Sequence, residues 1–268
     1  MQEYYGKSVA NEGGKMKLGR IVKSGFLVMA FFFAFNSVFG SDNHLLEQGK
    51  ELFLEGRQMF YNAEKPIPEA IATLNEGKEL LLTATDSFGK YYWLAQVELL
   101  LGEVKEVANE EKEAARCFSN TEELINKAID FDPNRSDAYR ILADAYVRLM
   151  PYKSMFYAMS HGSKANNLYK KALDLDDKNY AAYNAMGVYC LHAPAIGGGG
   201  VDKAIENLEK ALESNDRHEN FISYIWLGTA YEKKKMPGEA EAYLEKALEI
   251  YPNSQWAQSV LNRIKEKN

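Results

Sequence analysis

Histidine and cysteine are the side chains best equipped for metal or nucleophilic chemistry, and here their spacing works against both. His44, His161, His192 and His218 are scattered, without the i, i+4 partner or Cys/His clustering of a zinc site. His161 and His192 are a pair that folding could bring together, yet two ligands make half of a closed tetrahedral site. Cys117 has only remote histidines and no Cys/His signature of a catalytic nucleophile appears; Cys117 and Cys190 could pair in an oxidising compartment, or Cys190 could pack as a small buried hydrophobe. Glu110, Glu111, Asp174, Asp176 and Asp177 sit in the setting of solvated helix faces and ends, whereas paired acids catalyse only in a shaped cleft. The run Gly197 to Gly200 invites comparison with a phosphate loop, but Val201-Asp202-Lys203-Ala204 follows it where a Lys and a Ser or Thr are required after a strand. A mechanical role is expected instead: Pro194 ends one helix, the glycines allow positive φ, and Asp202 caps the next helix. The sequence therefore calls for no catalytic site, no metal and no cofactor.

What such residues would be mounted on is legible from internal repetition. Tyr224, Leu227, Gly228, Tyr231, Ala240, Leu244, Ala247 and Pro252 occupy positions 4, 7, 8, 11, 20, 24, 27 and 32 of a 34-residue unit beginning at Phe221. The small residues let two antiparallel helices approach, the aromatics fill the gaps, and the proline stops the second helix. Earlier segments repeat the pattern: Tyr183, Met186, Gly187 and Cys190 with Ala204, Leu208 and Ala211; Tyr139, Leu142, Ala143 and Tyr146 with Ala165, Tyr169 and Ala172; Tyr91, Leu94 and Ala95 with Ile125, Ala128 and Pro133. A degenerate first unit pairs a helix around 45–61 with one carrying Pro68, Ala70, Ile71 and Leu74. Beyond Pro252, the segment Gln255 to Lys265 puts Trp256, Val260, Leu261 and Ile264 on one face, as a terminal cap requires.

This set resembles the tetratricopeptide repeat (TPR). The resemblance implies an all-α, right-handed solenoid of antiparallel helix pairs, with repeats at about 88–135, 136–179, 180–220 and 221–254, a degenerate one at about 45–84 and a cap at 255–268. It also implies a groove that holds a peptide or helix of another protein, for which Arg140, Asn184 and Tyr231 are the candidates by helix face. A looser similarity, carried by the irregular inserts and the Pro-x-x-Gly-Gly element at Pro194, is to TPR proteins associated with TRAP-type solute transporters, which would imply a small apolar ligand.

Spacing adds what the family name does not. Between positions 1 and 20 the last unit advances 19 residues, while the units at Tyr180, Ser136 and Phe88 advance 24, 29 and 33. All the excess falls in the turn between first and second helices, and equivalent turns stack along one edge of a solenoid. The insert Met150 to Gly162 is dense in Met and aromatics, and its neighbour reads His192-Ala193-Pro194-Ala195-Ile196. Apolar side chains there need mutual burial or a ligand, so Tyr152, Met155, Phe156, Tyr157, His161, His192 and Ile196 are candidate binding residues. Alternatively the inserts lengthen the helices and fold back on the stack.

The apolar stretch Phe26 to Phe35 follows Lys17, Arg20 and Lys23 and precedes Val38 and Gly40. A secretory signal cleaved after Gly40 is the expected reading, with an uncleaved anchor as the alternative; ten apolar residues rise about 15 Å against a hydrocarbon core of about 30 Å. Glu12 to Met16 can be encoded by a ribosome-binding site and start codon, so translation is expected to begin at Met16. The body after residue 40 has 27 basic and 36 acidic residues, a net charge of −9, which argues against nucleic acid. Neither cysteine lies near the cleavage site to carry a lipid anchor. The sequence thus predicts a leader at 1–40 and a single domain at 41–268, exported to the periplasm or secreted without a stable membrane span, acting as a non-catalytic scaffold for a protein partner.

Overall fold

The computed structural model describes residues 43–267, so the expected start at Met16, the signal and its cleavage after Gly40 lie outside the described residues. Every segment of repeat-like spacing is helical. The helices are α1 (43–62), α2 (Ile67–Thr83), α3 (Phe88–Val107), α4 (Glu111–Phe131), α5 (Ser136–Leu149), α6 (Met155–Leu175), α7 (Tyr180–His192), α8 (Val201–Ala211), α9 (Arg217–Lys233), α10 (Pro237–Ile250) and α11 (Gln255–Glu266). Residues from 46 onward lie in one compact unit, to which the rest of this account refers.

Consecutive helices pack in pairs, α3 on α4, α5 on α6, α7 on α8 and α9 on α10, with each second helix also meeting the next first helix. Close approach is what the small residues provide. A Cβ at Gly228 would stand 2.7 Å from Leu244 Cγ, and one at Gly187 2.6 Å from Leu208 Cγ; the same logic seats Leu81 on Gly49 and Leu74 on Gly56, an order that makes α1 and α2 antiparallel. Hydrophobic burial of Phe118, Ile125, Ile141, Leu208, Phe221, Ile225 and Leu244 fills the layers between pairs. Side-chain caps start several helices: Ser87, Ser154, Asn179, Asp216 and Ser254 each accept a bond from a backbone N–H in the first turn. Helix α11 covers the last pair with Ala257, Val260, Leu261 and Ile264, while Arg263 and Lys267 reach Glu232 of α9.

The extra residues of the inserts take two forms. In the Phe88 and Ser136 units they are helix: α3 and α4 run to 20 and 21 residues, and α6, also 21 residues long, begins directly after a single 3-10 turn at Met150–Tyr152. Gly102 seats the Phe118 ring where this longer pair continues its contact. Only the Tyr180 unit keeps a loop. There Gly198 and Gly200 have φ of 91° and 154°, Gly199 leaves no room for a Cβ against Ala193 O, and Gly200 N–H donates to Cys190 O at 2.8 Å. The mechanical reading of the glycine run holds, with one correction. Gly200, not Asp202, is the N-cap of α8; Asp202 lies within the first turn, where its charge suits the helix dipole, and pairs with Lys234 at 2.8 Å. Cys117 and Cys190 are both free and buried, in separate clusters.

Candidate functional site

The inner face of the stack is lined by the first helices of the pairs, and their polar side chains are spent on one another. Arg140 Nη1 donates to Asp144 at 2.7 Å, one turn along α5, and Tyr169 Oη donates to the other oxygen of that carboxylate at 2.8 Å. Asn184 Nδ2 donates to Glu219 at 2.9 Å, and its carbonyl oxygen accepts from Ser223. Arg148 bridges Glu103 and Glu106, and Tyr152 Oη donates to Glu106 at 2.8 Å. Of the groove candidates Arg140 and Asn184, Asn184 is engaged at both its amide nitrogen and its carbonyl oxygen, whereas Arg140 Nε is buried without a hydrogen-bond partner.

The end of α1 closes the same face. Tyr61 Oη donates to Glu103 at 2.5 Å, and its ring meets those of His218, Phe221 and Trp256 at centroid distances of 4.7, 5.8 and 6.4 Å. Asn253 N–H donates to Asn62 Oδ1 at 3.1 Å across 191 residues of sequence. Burial, and then the Glu103 charge, push the Tyr61 phenol well above its ordinary value. No repeat motif marks Tyr61 or Asn62.

His218 lies inside this closure and is titratable. Its ring bonds Tyr251 Oη at 3.3 Å, and burial, with Arg57 adding to it, holds its pKa well below the usual imidazole range. A neutral imidazole that protonates on unfolding makes the unfolded state the better proton acceptor, so stability is present above pH 6.5 and falls below it, by at most about 1.4 kcal/mol per pH unit. Neighbouring Glu219 acts in the opposite sense, because burial raises its pKa and protonation relieves it as pH falls. Urea midpoints measured on both sides of pH 6.5 should show His218→Gln losing less stability on acidification than the parent; equal slopes would contradict the assignment.

The insert edge separates into an inward and an outward set. Tyr157 stacks on His161 at 3.8 Å with rings 9° apart, Tyr146 meets His161 edge-on, and Tyr152 lies near Phe118; these are packing residues. His192, exposed, stands edge-on to Trp226 at 5.5 Å, with neighbours distinct from those of His161. Among the described residues no group of three His, Cys, Asp or Glu side chains could hold a metal. Outward, Met155, Phe156, Met159 and Ile196 are 78, 83, 71 and 100% exposed. Met159 and Ile196 bound a cleft of about 460 Å³ that is lined by no charged residue, with Ser163, Asn166, Asn167 and Tyr189 also on its walls. Sequence reasoning did not select Met159, Ser163, Asn166 or Asn167 as site residues; their helical register with Met155 was the available signal.

Among known proteins, residues 221–254 match the tetratricopeptide repeat model. No curated protein matches the chain. Of solved structures, TTC0263, a thermophilic TPR protein of Thermus thermophilus, superposes with a TM-score of 0.59 at 19% identity, covering 84% of this chain and 99% of that one. YrrB, a TPR protein with an unusual peptide-binding site, reaches a TM-score of 0.41 at 17% identity over 73% and 84% of the two chains. The looser similarity to TRAP-associated proteins finds no support in these matches. Residues 221–254 are thus similar in sequence to a tetratricopeptide repeat, and the helix pairs before them extend the same fold into a TPR solenoid.

Proposed function

We propose that this chain is an exported, non-catalytic TPR scaffold that holds a protein partner at the insert edge. One observation carries the reading: the inner face is occupied by the protein's own ion pairs and by Tyr61, whereas Met159 and Ile196 bound an uncharged, uncovered cleft. Buried apolar area drives most protein association, and an uncovered apolar group of this kind is what a partner would cover. Ser163, Asn166 and Asn167 supply hydroxyl and amide groups that can pair with a partner's backbone. Export is part of the proposal and rests on the basic, apolar, small-residue order of residues 17–40.

The test is to recover a C-terminally tagged chain from the envelope fraction of its host, beside the Ser163→Arg/Asn167→Arg double variant, which fills the cleft from two exposed positions. The expected result is an N-terminus at Ser41 and a co-purifying protein that the double variant loses at unchanged thermal stability. Equal recovery of that protein by both chains would remove the cleft from the site, and recovery from the cytoplasm with residues 17–40 retained would remove export.

A further inference from the structure

The tips of the edge carry exposed apolar and cationic side chains, Met155, Phe156, Lys153 and Lys164, that lie outside the lining of the cleft. In a chain of net charge −6, residues 145–173 and 178–201 contain no Asp or Glu. The first stretch holds Arg148, Lys153, Lys164, Lys170 and Lys171. Lys153 and Lys164 stand exposed on either side of Met155, Phe156 and Met159, and neither has an ion-pair partner among the described residues. The carboxylates that reach this segment act away from its tips: Glu103 and Glu106 pair with Arg148, Asp144 accepts from Tyr169, and Glu106, Glu111 and Glu122 act on Tyr152 and Tyr157, whose rings pack into the stack.

We propose that the tips of the insert edge, at the start of α6 and at Ile196, dock on the surface of an anionic lipid bilayer. Two separate elements, the first turns of α6 and the turn at Ala195–Gly197, bring apolar side chains to the rim of one cleft. Side chains of 71 to 100% exposure can enter the headgroup boundary without unpacking anything, and flanking lysines add attraction to anionic lipid. Charge complementarity selects this occupant. A second copy presenting the same tips would oppose lysine to lysine, whereas the acidic remainder of the chain, including Glu110, Glu111 and Glu113 at the neighbouring α3–α4 turn, is repelled by an anionic surface and so turns the tips of the acid-free stretches toward it. Among the described residues no helix is long and apolar enough to cross a membrane, so the contact is interfacial. The inference goes beyond the protein-binding reading and does not require it, since the cleft walls at Ser163 and Asn167 remain open to a partner.

Flotation of the purified chain with vesicles of phosphatidylcholine alone, and of phosphatidylcholine mixed with phosphatidylglycerol, tests it. The parent is expected to float with the mixed vesicles, more weakly at high salt, and not with the neutral ones. Phe156→Ser/Met159→Ser/Ile196→Ser and Lys153→Glu/Lys164→Glu should each lower that binding by about tenfold or more, with unchanged circular dichroism. Residues 1–42 are the same in every chain compared, so binding that all variants share belongs to them and overturns the proposal. Absence of flotation by the parent, or equal flotation with neutral vesicles, also overturns it. The Ser163→Arg/Asn167→Arg variant should float at least as strongly as the parent, since it adds two cations beside the tips, while it loses the co-purifying protein, which separates this outcome from failure of the protein-binding reading. If instead the tip variants lose the co-purifying protein while their flotation matches the parent's, the tips belong to the protein contact and not to lipid.

Discussion

Replacing Tyr61 with alanine is expected to lower stability by about 3 kcal/mol and to loosen both ends of the stack together. The ring touches His218, Phe221 and Trp256, and its hydroxyl donates to Glu103, so truncation removes packing against α9 and α11 and a bond to α3. In an ordinary solenoid each repeat meets only its neighbours, and damage to the first pair reaches the last only through the intervening repeats. Here Tyr61 and the Asn62 to Asn253 bond tie α1 directly to the C-terminal helices. Amide hydrogen exchange of Tyr61→Ala should therefore rise in residues 46–62 and also in α9 and α11, with α7 and α8 least affected. Tyr61→Phe keeps the rings and loses one hydrogen bond to a carboxylate, a cost of about 2 kcal/mol. If exchange rises only in α1 to α3, the closure does not couple the two ends.

That closure shows where sequence reading stops. The last repeat is legible because Gly228, Ala240 and Leu244 must meet for two helices to approach, and the requirement is local: 34 residues contain all of it. Arg140 could also be placed on the inner face by register, and its partner Asp144, one turn along, was readable from spacing. Tyr61 had no such signature, because its ring partners lie on α9 and α11, beyond three or more intervening repeats, and nothing in a repeat pattern fixes how tightly the stack curls. The insert Met150 to Gly162 falls between these cases. Pro151 and Gly162 punctuate it like a loop, so spacing alone groups Tyr152, Met155, Phe156, Tyr157 and His161 without separating an inward from an outward set. As helix, the segment sorts itself, with Tyr157 and His161 one turn apart facing in and Met155, Phe156 and Met159 facing out. The glycine run was readable for the opposite reason: four glycines after a proline demand a backbone path other residues resist, and Gly198 and Gly199 show it.

Lys78→Met is expected to cost about 3 kcal/mol because it strands a buried charge. Glu98 is 2% exposed in its side chain, with Lys78 Nζ at 2.5 Å from one oxygen and Asn120 Nδ2 donating to the other at 3.2 Å. The Cys117 thiol beside it is pushed up to about 12, first by burial and then by the Glu98 charge, so the pocket already resists a second negative group. Removing the ammonium leaves the carboxylate only neutral donors, Asn120 and the Cys117 thiol, in a setting where its solvation by water is gone. Much of the penalty is that of an unpaired ion rather than the worth of the pair, so Lys78→Met/Glu98→Leu should be more stable than Lys78→Met alone. The coupling between the two sites should amount to about 2 kcal/mol in a double-mutant cycle. Lys78 itself is 28% exposed, and if solvent reaches past it to screen Glu98, the single variant will cost less than about 1 kcal/mol, as a surface pair does. Chemical denaturation of the four proteins separates these cases: near-additive single costs would show that water already stabilises Glu98, and a large coupling would show that the α2–α3 seam depends on this lysine to carry its charge.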